Sequence, residues 1–135
     1  MRLIRLLSVA TLLSLSVSYG VVSNAEEFSV REYEEFHRLL HPLQHEALPK
    51  KDFATIRAKA EELVKLGEAI VKLGVPRGIA AANVDEFKKE LKKFDNALAK
   101  FNKDAKSGTD EELEVSYGAV HDSFELLAGM LPRKQ

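Results

Sequence analysis

The chain has no cysteine among its 135 residues. Disulfide bonds therefore contribute nothing to its stability, and thiolate metal sites, iron–sulfur clusters and covalently attached c-type haem are excluded. The motifs of common enzymes are missing as well. There is no H-E-x-x-H helix, no phosphate-binding glycine loop, no dinucleotide fingerprint and no serine in a nucleophile elbow. We therefore predict a protein that is not an enzyme and that is stabilised by the packing of its helices.

An excess of positive charge is also missing. The chain has 20 basic and 21 acidic residues, and its formal net charge is −1. Both basic residues of the first 25 positions, Arg2 and Arg5, belong to the leader described next. Without them, 18 basic residues face 21 acidic ones, a net charge near −3. A nucleic-acid-binding surface needs a basic face, so we predict no nucleic-acid partner.

Residues 1–25 have the pattern of a secretory signal peptide. Arg2 and Arg5 supply the positive start, an apolar run extends from Leu6 to Leu15, and Ala25 ends a small-residue cleavage site. The alternative is an uncleaved membrane anchor, but serines interrupt the run and it is shorter than the ~20 apolar residues that a span requires. We predict cleavage after Ala25, a periplasmic or secreted protein without a stable membrane anchor, and one domain over residues 26–135.

The mature chain shows no alternating strand pattern but four stretches with apolar residues at steps of three and four. Such steps place the apolar side chains on one face of a helix. The four predicted stripes are Phe36, Leu39, Leu40, Leu43 and Ala47; Ile56, Ala60, Leu63, Gly67 and Ile70; Val84, Phe87, Leu91, Phe94, Leu98, Phe101 and Ala105; and Leu113, Tyr117, Val120, Phe124, Leu127 and Leu131. The pattern predicts an all-α fold, and two short connections between the helices suit an antiparallel up-down-up-down four-helix bundle.

Capping signals mark where the helices begin and end. Ser29 with Glu32, and Thr109 with Glu112, have the spacing of capping boxes, and Asp52 is placed to be the N-cap of the second helix. Asn83 with Glu86 predicts the start of the third helix. The run Ala80 to Ala82 predicts an extra turn before it, and Gly74 followed by Pro76 predicts the end of the second helix.

Three of the four histidines lie at positions 37, 41 and 45, four residues apart. On a helix this spacing forms one row of side chains. His121 and Glu125 lie on one flank of the fourth helix. A four-helix bundle can turn in either of two hands. In one of them, His121 and Glu125 lie at the same height as His37 and His41, in the groove between the first and last helices. Imidazole binds zinc, copper or iron, and a carboxylate can complete the shell. We therefore predict a transition-metal site at His37, His41, His45, His121 and Glu125.

Pro42 decides how this row is arranged. A straight α-helix would carry His37 and His41 progressively away from the core and would turn His45 nearly opposite to it. Proline inside a helix removes a hydrogen bond, so we predict a kink or a changed winding between His37 and His45. The alternative to a metal site is a set of half-exposed histidines bonded to neighbours such as Glu34 or Glu125. Asp52 is a further candidate ligand, although its position favours the N-cap.

An exported helical bundle of this length, with His121 in its last helix, resembles the cytochrome b562 and cytochrome c′ superfamily. The resemblance covers residues 30–131 and implies haem as a possible cofactor, with His121 as a ligand. The haem motifs are not matched, because there is no C-x-x-C-H and the only mature methionine, Met130, lies in the last helix. The residues are still compatible with a haem that has two histidine ligands, His121 and either His37 or His41.

The phrase H-x-x-x-H-P-L-x-H followed by K-K-D also resembles a motif of exported helical proteins and implies a ligand site. We predict a protein that binds, buffers or senses a metal ion. Two alternatives stay open. One is a protein-interaction or chaperone-like helical module without ligand, which binds a protein partner or forms a homodimer, and the other is a b-type cytochrome.

Overall fold

The computed structural model describes residues 28–134. Over this range the chain is all-helical and contains no strand, which confirms the predicted fold class. Its four α-helices are α1 (Arg31–Pro42), α2 (Phe53–Leu73), α3 (Val84–Ser107) and α4 (Asp110–Gly129). A π-helical turn, Leu43–Ala47, continues α1, and a 3-10 turn, Ala81–Asn83, precedes α3 as predicted. The predicted signal peptide and its cleavage site lie outside the described residues.

The apolar faces of the helices meet in one core built largely from aromatic rings. Phe87, Phe94 and Phe101 repeat every seven residues along α3 and are all fully buried. The ring of Phe36 from α1 lies 5.4 Å from Phe94 and 4.8 Å from Phe124 of α4. A fully buried side chain of this size contributes about 1.5–3 kcal/mol of transfer free energy, so these rings hold the helices together without any disulfide. No helix between residues 28 and 134 has the length and apolar content needed to cross a membrane.

The helix starts confirm two of the predicted caps and correct a third. Asp52 accepts a hydrogen bond from the backbone N–H of Thr55, and Thr109 forms a complete capping box with Glu112. The predicted box at Ser29 is wrong. Helix α1 begins at Arg31 after Val30, with no side-chain cap.

The physical reason is that the Ser29 hydroxyl is engaged elsewhere and that a different carboxylate reaches back beyond the helix start. The Ser29 hydroxyl donates to the carbonyl of Pro132, which ties the two ends of the described chain together. The carboxylate that reaches back beyond the helix start belongs to Glu34, which accepts from the backbone N–H of Phe28 at 3.0 Å. At α3, the helix starts where predicted, but Asn83 makes no side-chain cap bond.

The connection between α3 and α4 is held by one arginine of α2. Arg57 donates to the backbone carbonyls of Asp104, Ala105 and Gly108 at 3.0–3.1 Å and to the carboxylate of Asp110 at 2.8 Å. The last carbonyls of a helix have no partners within the helix, and they carry partial negative charge. A guanidinium with its fan of donors satisfies several of them at once, so Arg57 fixes the start of α2 against the end of α3.

Candidate metal-binding histidine row

Pro42 changes the winding of the first helix, as predicted. It has no N–H to donate, and directly after it the backbone shifts to the wider π-helical pattern, in which Leu48 N–H bonds to the carbonyl of Leu43 at 2.9 Å. A π turn holds more residues than an α turn, so each residue rotates less about the axis. His45 is therefore carried back toward His41 rather than drifting further around the helix.

The three histidines of this segment, His37, His41 and His45, form what we call the histidine row. The rings of His37 and His41 are 5.5 Å apart, measured between centroids, and those of His41 and His45 are 4.4 Å apart. His41 and His45 are exposed, whereas His37 is half-buried. The row is thus a continuous strip of imidazoles that begins at the edge of the core and ends in solvent.

These separations suit the chemistry of a shared ion. Zinc binds imidazole nitrogen at about 2.0–2.1 Å in tetrahedral geometry, which places the centroids of two bound rings about 5 Å apart. The observed 4.4 and 5.5 Å lie on either side of that value. Small rotations of exposed side chains would bring one nitrogen of each ring to a common ion, so two neighbouring histidines of the row can act as a ligand pair.

Aromatic rings fix the buried end of the row against α4. The ring of His37 lies edge-on to Phe28 at 5.2 Å and nearly parallel to Phe124 at 6.2 Å. One turn further along α1, the carbonyl of Leu40 accepts a hydrogen bond from the hydroxyl of Tyr117 at 3.3 Å. The first half of the row therefore faces α4, and its freely accessible part is the pair His41 and His45.

His121, the predicted ligand of the last helix, is close to two carboxylates of its own helix. Its Nδ1 lies 3.2 Å from the carboxylate of Asp122, and its Nε2 lies 4.0 Å from Glu125. Asp122 was not among the predicted residues, although its position next to His121 in the sequence could have suggested it. Within residues 28–134, no three histidine, aspartate or glutamate side chains are grouped so that they could hold one ion. The metal predicted at His37, His41, His45, His121 and Glu125 stays a prediction.

Family models, curated proteins and solved structures were compared with the chain. None matches it. The resemblance to the cytochrome b562 and cytochrome c′ superfamily thus stays a prediction, and the candidate site has to be judged from its own geometry.

Asp52 is committed to capping α2. One of its carboxylate oxygens accepts from the backbone N–H of Thr55 at 3.1 Å, and the other accepts from the Thr55 hydroxyl at 2.7 Å. These bonds, first the one from the hydroxyl, lower the pKa of Asp52 below its ordinary value. The carboxylate is therefore ionised at neutral pH, and its predicted role as an N-cap is confirmed.

Proposed function

We propose that the protein binds a transition-metal ion through the histidine row, with His41 and His45 as the first pair of ligands. The observation that carries the proposal is the 4.4 Å separation of two exposed imidazole rings on successive turns of one helix. Helical histidines four residues apart are a known way to present two nitrogens to one zinc ion. His37 is the adjacent third nitrogen donor, and His121 with Glu125 forms a second group on α4.

The chemistry of the pair favours storage or sensing over catalysis. Neutral imidazole suits zinc, copper, nickel and iron, and copper(II) should bind most tightly among the divalent ions. Only the neutral ring can bind metal, so protons compete with the ion, and affinity should fall in acid. A protein that binds at neutral pH and releases in acid would act as a buffer or sensor for the ion.

The test is a calorimetric titration of the purified, metal-free chain with zinc(II) and with copper(II). Replacing His41 or His45 by alanine should weaken binding by about tenfold or more, because each variant leaves a single imidazole in the pair. Both positions are exposed, so the unfolding midpoint of the metal-free variants should stay close to that of the parent chain. Unchanged affinity in both variants would contradict the proposal.

The variant His121→Ala asks whether the fourth helix takes part. A loss of affinity as large as that of His41→Ala would show that both helices share one ion. Unchanged affinity would confine the site to the histidine row.

We also infer that the bundle is antiparallel, with up-down-up-down topology, and that the protein is exported. The contacts of Phe124 with Phe28 and Tyr33, and of Tyr117 with Leu40, support the opposite directions of α1 and α4. The leader pattern of residues 1–25 supports export. A purified protein that begins at Glu26 would agree with this, and one that keeps Met1 would argue against cleavage.

A further inference from the structure

We propose that the ion held by His41 and His45 is shared between two copies of this chain, each of which supplies the same histidine pair. This inference rests on the proposed function, since it concerns the same two ligands. It adds the identity of the partner, which is a second molecule of the protein, and a regulatory consequence, which is that the metal ion controls the oligomeric state.

The first step concerns where the ion would lie. His41 and His45 are both exposed, and Pro42 between them is exposed as well. An ion bound by two side chains of one convex helix surface lies outside that surface, and its remaining coordination positions point into solvent. Zinc in structural sites is almost always held by four ligands, so a pair of histidines fills half of the shell.

The second step concerns what can fill the other half. A two-fold axis through the ion brings an identical pair from a second molecule to the open positions, and an interface of this kind is self-complementary by symmetry. The result is a tetrahedral set of four imidazoles. His37 contacts Phe28 and Phe124 at the edge of the core, so the solvent-facing side of the ion stays open to a second molecule.

The third step concerns the charges beside the pair. Arg38 is bonded to the buried carboxylate of Glu34 at 3.2 Å, so its charge is largely compensated. A groove of about 320 Å³ between the π-helical turn and α2 is lined by two carboxylates, Glu46 and Asp52, and by two lysines, Lys50 and Lys59. Neither sign of charge dominates beside the histidines. Two copies can therefore approach each other at this surface without strong repulsion, and the ion is the main attractive contact.

The experiment measures binding and mass in the same samples. Metal-free chain is titrated with zinc(II) alone, and the molecular mass is followed by sedimentation equilibrium at each ratio. We expect saturation at about one zinc ion per two chains, with the mass rising from monomer to dimer over the same range and returning to monomer when a chelator is added. The double variant His41→Ala/His45→Ala should remain monomeric at every zinc concentration.

A matched control addresses two exposed apolar side chains on another helix. Val115 and Leu126 are exposed and lie three turns apart on the same side of α4. The variant Val115→Ser/Leu126→Ser should keep the zinc-dependent dimer, because the proposed interface does not include α4. Loss of the dimer in this variant would overturn the shared-ion arrangement.

The remaining outcomes separate the two proposals. Saturation at one zinc per chain with the mass of a monomer would overturn the shared ion and leave the metal-binding function standing. A dimer that persists in the presence of a chelator would also overturn the shared ion. A chain that takes up neither zinc(II) here nor copper(II) in the calorimetric titration would overturn both.

Discussion

Among single residues, Glu90 shows how a buried charge is accommodated in this protein. The carboxylate lies between α3 and α4, where it accepts hydrogen bonds from the hydroxyl of Ser123 at 2.7 Å and from the ammonium group of Lys93 at 3.0 Å. Burial alone would raise the pKa of Glu90, but the bonds from Ser123 and Lys93 outweigh it, so the pKa lies below the ordinary value of 4.5. The ionised form is therefore the one that the fold stabilises.

Asp104 repeats this arrangement two heptads further along α3. The hydrogen bond from Lys100, at 2.7 Å, is the main cause that lowers the pKa of Asp104, burial opposes it, and a bond from Ser116 supports it. Ser116 and Ser123 are seven residues apart and both are buried on α4. The hydrogen bond from Ser123 to Glu90 therefore joins α3 to α4, while the Ser116 hydroxyl donates to the carbonyl of Leu113 on its own helix.

Acid should destabilise the protein through these two carboxylates. A group whose pKa is lower in the folded than in the unfolded state contributes stability above the unfolded value, and this contribution is lost as the pH falls through the folded value. For Glu90 the loss should begin near pH 4.5, and for Asp104 near 3.8. The variant Glu90→Gln should lower the free energy of unfolding by about 1 kcal/mol at pH 7. Its free energy of unfolding should then decrease less than that of the parent chain as the pH falls.

Glu86→Gln is the matched control for this measurement. Glu86 lies on the same helix in an exposed pair with Lys89, at 3.8 Å, and such pairs contribute about 0–1 kcal/mol. Urea unfolding of both variants between pH 3 and 7 checks the expectation. If both variants lose the same free energy of unfolding, the buried contact of Glu90 with Ser123 stabilises the protein no more than an exposed ion pair does.

The sequence analysis did not identify the buried polar residues Glu90 and Asp104. An amphipathic pattern assigns polar side chains to the solvent face, because an isolated charge is costly to bury. That rule cannot foresee that lysines three and four residues away, and serines on another helix, will compensate the charge. The buried apolar residues of α3 were predictable, because their seven-residue spacing places them on one face of the helix.

At the level of elements, short-range chemistry was predictable and long-range competition was not. Thr109 with Glu112 forms its capping box because both partners lie within one turn. The same spacing failed at Ser29, whose hydroxyl is taken by Pro132, more than a hundred residues away. In the candidate site, the changed winding after Pro42 was predictable from proline chemistry, whereas the spacing of the histidine rings required the geometry of the π turn.

The variant Pro42→Ala tests how this element controls the histidine row. Alanine restores the missing N–H and removes the ring that clashes with the preceding turn, so the segment should return toward an uninterrupted α-helix. His45 would then rotate away from His41, and zinc affinity should fall by about tenfold even though no ligand is lost and helicity does not decrease. Calorimetry and circular dichroism of the same sample measure both quantities.

Pro49→Ala serves as the control for this variant. Pro49 is exposed and lies after the π-helical turn, so its replacement should leave the histidine row and its affinity unchanged. If Pro42→Ala binds zinc as tightly as the parent chain, the π turn has no part in forming the ligand pair.

For the whole molecule, the direction of each helix is the property that determines which side chains meet. The salt bridge from Lys51 to Glu114 joins the start of α2 to the start of α4, while Phe28 meets Phe124 near the other end of α4. These contacts support an antiparallel arrangement of α1 and α4. Sequence periodicity could not provide this arrangement, because it defines the buried face of each helix and not the neighbour that covers it.

The absence of cysteine makes the topology directly measurable, because engineered cysteines are the only sites that thiol-reactive spin labels can modify. Arg31, Glu111 and Glu125 are exposed positions at the start of α1 and near the two ends of α4. The two α4 positions are about 21 Å apart along the helix at 1.5 Å per residue. In an antiparallel bundle, the 31–125 distance should be shorter than the 31–111 distance by about 10–20 Å. A label at Lys50, at the opposite end of the first helical segment, should show the reverse order, and distances that do not reverse would exclude the up-down-up-down arrangement.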